Sequence, residues 1–116
     1  MAAKPIHIRN DICIAMSNYN KAQEHNFIAI DSFIVNAILS DAYTSDHELA
    51  QLSMSSLSTV KRSINRLCVF GILQKHISKT NQKALTVNAQ FLEQFLDQYF
   101  YSSPTQVTLG SDFAHV

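Results

Sequence analysis

The chain has 116 residues, of which 47% are apolar and 16% charged, and its nine basic residues balance nine acidic ones. This length allows a single domain with its own core, and the composition argues against wholesale disorder. The apolar runs are too short to span a bilayer, and the polar N-terminus predicts no export signal. We therefore expect a cytoplasmic protein.

The neutral total conceals an uneven distribution of charge. Residues 1–48 and 93–116 each sum to −3, whereas Leu49 to Leu92 contain six basic residues and no acidic one. A centre of +6 is typical of a protein that binds a polyanion. The six residues are Lys61, Arg62, Arg66, Lys75, Lys79 and Lys83.

Two glycines and two prolines favour a mainly helical fold, because long stretches contain no helix breaker. Apolar spacing predicts a first helix over residues 10–22, with Asn10 as its N-cap. A second helix is expected over residues 31–43, with Asp31 as its cap and Ile30 packed against Val35. The preceding residues 27–30 are read either as a short strand or as part of that contact.

Two further helices follow a pair of serine caps. Ser45 and Glu48 form a capping box that predicts a short helix ending near Leu52, with Leu49, Ala50 and Leu52 directed inward. Ser55 and Ser56 then cap a longer helix that runs to Phe70, where Gly71 supplies the conformation that ends it.

The remaining elements are a hairpin and a last helix. Residues 72–78 and 84–88 are short strand-like runs around the turn at 79–83. Residues 89–101 predict a C-terminal helix, and the tail at 102–116 has no helical period. We divide the single domain into an N-terminal helical extension (1–26), a core (27–88), the C-terminal helix (89–101) and the tail (102–116).

The helix at 56–70 separates two kinds of side chain at 100° per residue. An apolar stripe lies on one side, and the opposite side combines two cations, an amide and a hydroxyl, which are groups that read base edges. Thr59 and Arg66 lie on one flank, where phosphate contacts are expected. The apolar stripe is Leu57, Val60, Ile64 and Leu67, and the opposite face is Ser58, Lys61, Arg62, Asn65 and Val69.

Residues 48–73, ELAQLSMSSLSTVKRSINRLCVFGIL, resemble the helix-turn-helix of winged-helix DNA-binding proteins. The matching positions are Leu49-Ala50 with Leu52, Ser58-Thr59-Val60, Arg62, Ile64, Arg66-Leu67 and Gly71-Ile72-Leu73. The family's usual turn glycine is Met54 here.

The resemblance implies a winged helix-turn-helix with extra terminal helices. It would place residues 56–70 in the major groove of double-stranded DNA and the wing at 79–83 on the backbone or in the minor groove. The resemblance and the arrangement of side chains around the helix at 56–70 together imply a set of DNA-contacting residues. They are Ser56, Ser58, Thr59, Lys61, Arg62, Asn65, Arg66, Lys79 and Lys83.

We expect a sequence-specific transcriptional regulator of the bacterial, plasmid or phage type. Two alternatives stay open: a plasmid or phage replication or partition factor, and a winged-helix module that binds protein instead of DNA. Regulators of this family often dimerise through terminal helices, so the bulky residues Phe91, Phe95 and Tyr99 are candidates for a homodimer contact.

Catalytic and metal-binding functions are not expected. The sequence has no phosphate loop and no motif that aligns a nucleophile, a base and an orienting group, so we predict that the protein is not an enzyme. Cys13, Cys68 and the five histidines follow no ligand spacing, so we expect no metal and no cofactor. Both cysteines are read as reduced, small apolar residues.

Overall fold

The computed structural model describes residues 5–23, 27–43, 45–77 and 83–102. Within them the chain is mainly helical, with one small antiparallel sheet. The tail at 103–116 and the turn at 78–82 lie outside the described residues. The elements are α1 (Asn10–Ala22), α2 (Ala29–Leu39), α3 (Asp46–Ser53), α4 (Leu57–Phe70), β1 (Leu73–Ile77), β2 (Lys83–Val87) and α5 (Ala89–Leu96), which continues into a π-helical turn (Asp97–Tyr101).

Helix α1 has the predicted bounds, but its cap differs. The N-cap is Arg9 and makes no side-chain capping bond, while the Asp11 carboxylate accepts a hydrogen bond from the Ile12 N–H at 2.8 Å. Arg9 also forms an ion pair with Asp11 at 2.7 Å, and this hydrogen bond raises the pKa of Arg9. At this helix start Asp11 therefore accepts a hydrogen bond from a free N–H group, which is the role that the sequence assigned to Asn10.

Helix α2 begins earlier than predicted, at Ala29, and ends at Leu39. The assignment of Asp31 as the cap was therefore wrong, as was the possible strand at 27–30. Asp31 lies in the first turn, where its carboxylate accepts a hydrogen bond from the Ile28 N–H at 2.8 Å. A carboxylate at the third helical position satisfies a free amide from inside the helix, so the N-cap is Ile28, three residues upstream of the residue that resembled the cap.

Helices α3 and α4 are joined by a tight turn. The Ser45 hydroxyl accepts a hydrogen bond from the Glu48 N–H at 3.1 Å, which is the serine half of the predicted capping box. Leu49 and Ala50 are buried, but Leu52 is 47% exposed, so its predicted inward position was wrong. Met54 ends α3 at φ 57° and ψ 38°, the left-handed region that costs an L-residue energy and suits glycine.

A glycine and a hairpin follow α4. Gly71 adopts φ 116°, and a Cβ atom there would lie 2.9 Å from the Phe91 ring, so both conformation and space require glycine. Strands β1 and β2 pair from Leu73↔Val87 to Ile77↔Lys83. This is the predicted hairpin.

The core combines all five helices with the base of the hairpin. Helix α1 packs on α2, α5 and the π-helical turn, whereas α4 packs on α2, α3 and β1. Six aromatic rings join these two halves, with centroids from 5.0 to 6.1 Å apart and mostly edge-to-face contacts. They belong to Tyr19, Phe27, Phe70, Phe91, Phe95 and Tyr99.

Candidate nucleic-acid interface

Helix α4 presents the face that the helical wheel predicts. Its Ser56 cap accepts a hydrogen bond from the Thr59 N–H at 3.2 Å. Val60, Ile64 and Leu67 are buried, and Leu57 is half-buried. The opposite face is exposed along three turns and consists of Ser58, Lys61, Arg62, Asn65 and Val69. The division of α4 into a core side and a solvent side is therefore confirmed.

Three predicted site residues meet at the start of α4. The Ser56 hydroxyl lies 2.8 Å from the Thr59 hydroxyl and 3.1 Å from that of Ser58. The Ser56 oxygen thus caps the helix, and the hydroxyls of Ser58 and Thr59 lie within hydrogen-bond distance of it. Free N–H groups and hydroxyls at a helix start can donate hydrogen bonds to a phosphate oxygen.

Arg66 has a structural role that the sequence did not predict. Its Nε and Nη2 atoms donate to the two carboxylate oxygens of Asp31 at 3.1 and 3.0 Å. Ser63 donates to the same carboxylate from the same face of α4. Two guanidinium nitrogens are held by a carboxylate that is 0% exposed, so Arg66 forms a structural ion pair, and its expected phosphate contact stays a prediction.

This cluster of Asp31, Ser63 and Arg66 was missed by sequence reasoning, although a signal for it existed. Asp31 is the single ionisable residue in the apolar run from Phe27 to Leu39. A carboxylate in such a run must find partners when it is buried, since an unpaired buried charge is very costly. The partners lie 32 and 35 residues away, a distance along the chain at which helical periodicity carries no information.

Lys61 of α4 borders two shallow concavities. Lys61, Arg62, Asn65 and Arg66 line one of them along the exposed face. The other lies between α4 and the hairpin, where Lys61 and Lys75 are brought together with residues of the α3 start. The rest of that lining is Tyr43, Asp46, Ile64, Ala84 and Leu85.

Asp46 is the acidic residue in this second concavity. It belongs to the acidic residues 1–48 of the sequence, yet the fold brings it to the same concavity as Lys61. Its carboxylate accepts a hydrogen bond from the Tyr43 hydroxyl at 2.6 Å. Burial is the larger cause of a raised pKa of Tyr43, and this hydrogen bond is the second cause. The phenol therefore stays protonated and continues to donate its hydrogen bond to Asp46.

The residues of the predicted wing are described only in part. Lys79 lies outside the described residues, and so does the side chain of Lys83, whose backbone pairs with Ile77 at the end of the hairpin next to residues 78–82. Lys75 is exposed on β1. The predicted DNA contacts of Lys79 and Lys83 therefore stay predictions.

The residues expected to form a dimer contact lie in the core or against it. Phe95 is 4% exposed and packs against Tyr19, Phe27, Phe70 and Tyr99. A side chain this buried cannot reach a second protomer, so its assignment to a dimer surface is corrected. Phe91 and Tyr99 are half-buried and pack on the same core, which explains the bulk of this helix without a partner chain.

The cysteines are free and half-buried. Burial raises the pKa of the Cys68 thiol, although the nearby Lys75 charge acts in the opposite direction. A raised pKa lowers the fraction of reactive thiolate. In the described part of the chain, no three His, Cys, Asp or Glu side chains are grouped so that they could hold a metal ion.

None of the described helices is long and apolar enough to cross a membrane. Comparisons with known proteins yield no relative: no protein family, curated protein or solved structure matches the chain.

Proposed function

We propose that the protein is a sequence-specific double-stranded DNA-binding protein of the winged helix-turn-helix type that acts as a transcriptional regulator. In this proposal α3 and α4 form the helix-turn-helix, β1 and β2 form the wing, and α4 enters the major groove. The observation that carries the proposal is the exposed face of α4, on which Ser58, Lys61, Arg62 and Asn65 lie together opposite a buried apolar stripe.

The charge of this face supports a polyanionic partner. Solvent-exposed helices usually mix charges of both signs, but α4 contains no acidic residue, and none occurs between Leu49 and Leu92. Asp31 neutralises only Arg66, which lies at the side of the face. Lys61 and Arg62 lie exposed at its centre, where they could donate to guanine or to phosphates.

The attachment of α4 also supports readout of bases. Asp31 receives three hydrogen bonds from Ser63 and Arg66, so α4 is fixed to α2 by polar contacts as well as by apolar packing. Side chains that read base edges need a rigid support, because small displacements disrupt bidentate hydrogen bonds. Thr59 and Ser56 would contact phosphates at the helix start, and Lys79 and Lys83 would contact the backbone from the wing.

The test is duplex binding over a salt series by the wild type, Arg62→Ala and Lys21→Ala. Lys21 is an exposed cation on α1 and so serves as the matched charge control. We expect Arg62→Ala to weaken specific binding by about 1–3 kcal/mol if it contacts a base, and Lys21→Ala to change it little. Each phosphate contact contributes about −0.9 to the slope of log K against log salt, so the slope estimates how many exist.

Other outcomes would favour other functions. Equal affinities for Arg62→Ala, Lys21→Ala and the wild type would contradict the assignment of α4 to the interface. Absence of duplex binding at low salt would overturn the proposal and assign the basic face to an acidic protein partner. Cooperative loading on repeated sites would favour a replication or partition factor over a regulator. Homodimerisation stays a prediction, tested by solution mass.

A further inference from the structure

Val69 is an apolar residue on the otherwise polar outer face of α4, and its side chain is 80% exposed. It lies one helical turn after Asn65, and two turns after Lys61 and Arg62. Single exposed apolar residues are common and need no explanation in general. Val69 requires an explanation because it lies on the helix face that is proposed to contact DNA.

The surroundings of Val69 form a rigid surface. Asn65, Arg66, Val69 and Phe70 line a shallow concavity at the end of α4. Arg66 is held by Asp31, and Phe70 packs edge-to-face on Phe27 and Phe91 with centroids 5.0 and 5.6 Å apart. Val69 is itself β-branched, so its side chain has little rotamer freedom in a helix. Contact with a ligand would therefore immobilise few torsions.

The chemistry at this end of α4 differs from that at its centre. The last turn contains no basic residue, and Arg66, just before it, is paired with Asp31. The available groups are the amide of Asn65 and the methyl groups of Val69. In the major groove an amide pairs with N6 and N7 of adenine, and the 5-methyl of thymine is the apolar group that a valine can cover.

We propose that Val69 contacts a thymine methyl and, with Asn65 on the adenine of the same or the adjacent base pair, makes the C-terminal end of α4 select A·T pairs. This inference rests on the proposed function and deepens it, since it names a base preference for one end of the site. Residues 65 and 69 are about 5–6 Å apart between Cβ atoms on one helix face, which suits contacts within one or two base-pair steps.

The experiment begins with a duplex selected from random sequence by the wild-type protein. Each thymine is then replaced singly by deoxyuridine, which removes the methyl and leaves base pairing intact. At one position per recognition helix, we expect wild-type affinity to fall roughly three- to tenfold, as loss of one buried methyl contact implies. In Val69→Ala the same replacement should have no effect, because the contact is already absent.

Two further variants test whether the response to deoxyuridine depends on the methyl groups of Val69. Val69→Thr preserves the shape of the side chain and replaces one methyl by a hydroxyl, so it should lose part of the discrimination. Ile14→Ala shortens an apolar side chain on α1 that is 38% exposed, and it should retain the wild-type response to deoxyuridine. Circular dichroism checks that each variant folds.

The outcomes separate the two proposals. If the wild type binds duplex DNA but no single deoxyuridine lowers its affinity, or if Val69→Ala shows the same loss as the wild type, the thymine contact is wrong and DNA binding stands. If the wild type binds no duplex at all, the proposed function fails, and the assignment of Val69 fails with it.

Discussion

Helices α4 and α5 have similar inner faces and opposite outer faces. α4 buries Val60, Ile64 and Leu67, and α5 buries Leu92, Phe95 and Leu96. Outward, α4 exposes hydroxyls, an amide and cations, whereas α5 and the turn after it expose amides and acids. The polar residues exposed on α5 and this turn are Gln90, Glu93, Gln94, Asp97 and Gln98, and Ala89 and Tyr101 are exposed there as well.

The difference shows where functional information lies in a small helical domain. Both helices bury an apolar stripe, which indicates only that each of them packs on the core. The charge of the outer face separates them, because a polyanion is attracted to the α4 face and repelled by the α5 face. The bulk of α5 is explained by packing, and the cations of α4 are not.

The largest expected effect on stability comes from a substitution on the inner face of α5. Phe95→Ala removes a ring that contacts four others, so we expect the free energy of unfolding to fall by about 3–5 kcal/mol in urea denaturation. Phe95→Leu should cost about 1–2 kcal/mol, since it retains most of the volume.

Solution mass distinguishes this interpretation from a dimer contact. If Phe95 lay at a protomer interface, Phe95→Leu would change the concentration dependence of the mass while leaving the unfolding of the protomer nearly unaltered. We expect the mass of Phe95→Leu at a given concentration to equal that of the wild type.

A smaller effect is expected where α4 is attached to α2. Asp31→Ala leaves Arg66 without its partner, and we expect a loss of about 2–3 kcal/mol, below the value for fully buried pairs because the Arg66 side chain is 26% exposed. Thermal or urea unfolding measures this. Asp31→Ala combined with Arg66→Met should recover part of the loss, because no unpaired charge remains. If the double variant is no more stable than Asp31→Ala, the ion pair does not explain the burial of Asp31.

The smallest effect concerns the turn that leads into α4. Met54 is 94% exposed at φ 57°, so its side chain contributes little packing while its backbone is strained. Met54→Gly should stabilise the protein by about 0.5–1 kcal/mol, since relief of the strain exceeds the added entropy of the unfolded chain. Met54→Ala keeps a Cβ atom at this position and should give no such gain. A lower melting temperature for Met54→Gly would contradict the strain argument.

Local sequence patterns predicted much of this fold. The Ser45 and Ser56 caps, the stop at Gly71, the hairpin and the two faces of α4 all follow from hydrogen bonds or periodicities within a few residues. Where a local rule failed, another local group had replaced it: Asp11 serves the start of α1, and Asp31 serves the start of α2 from inside the helix.

By itself, then, the sequence determined the helices, the hairpin and the cationic face of α4, because these depend on neighbours along the chain. Only the tertiary structure decided that Arg66 belongs to Asp31, that Phe95 is core, and that Asp46 shares a concavity with Lys61. The physical reason is that burial and ion pairing depend on which elements pack together. A charged or aromatic residue looks the same in the sequence whether its partner is solvent, another chain or a helix 35 residues away.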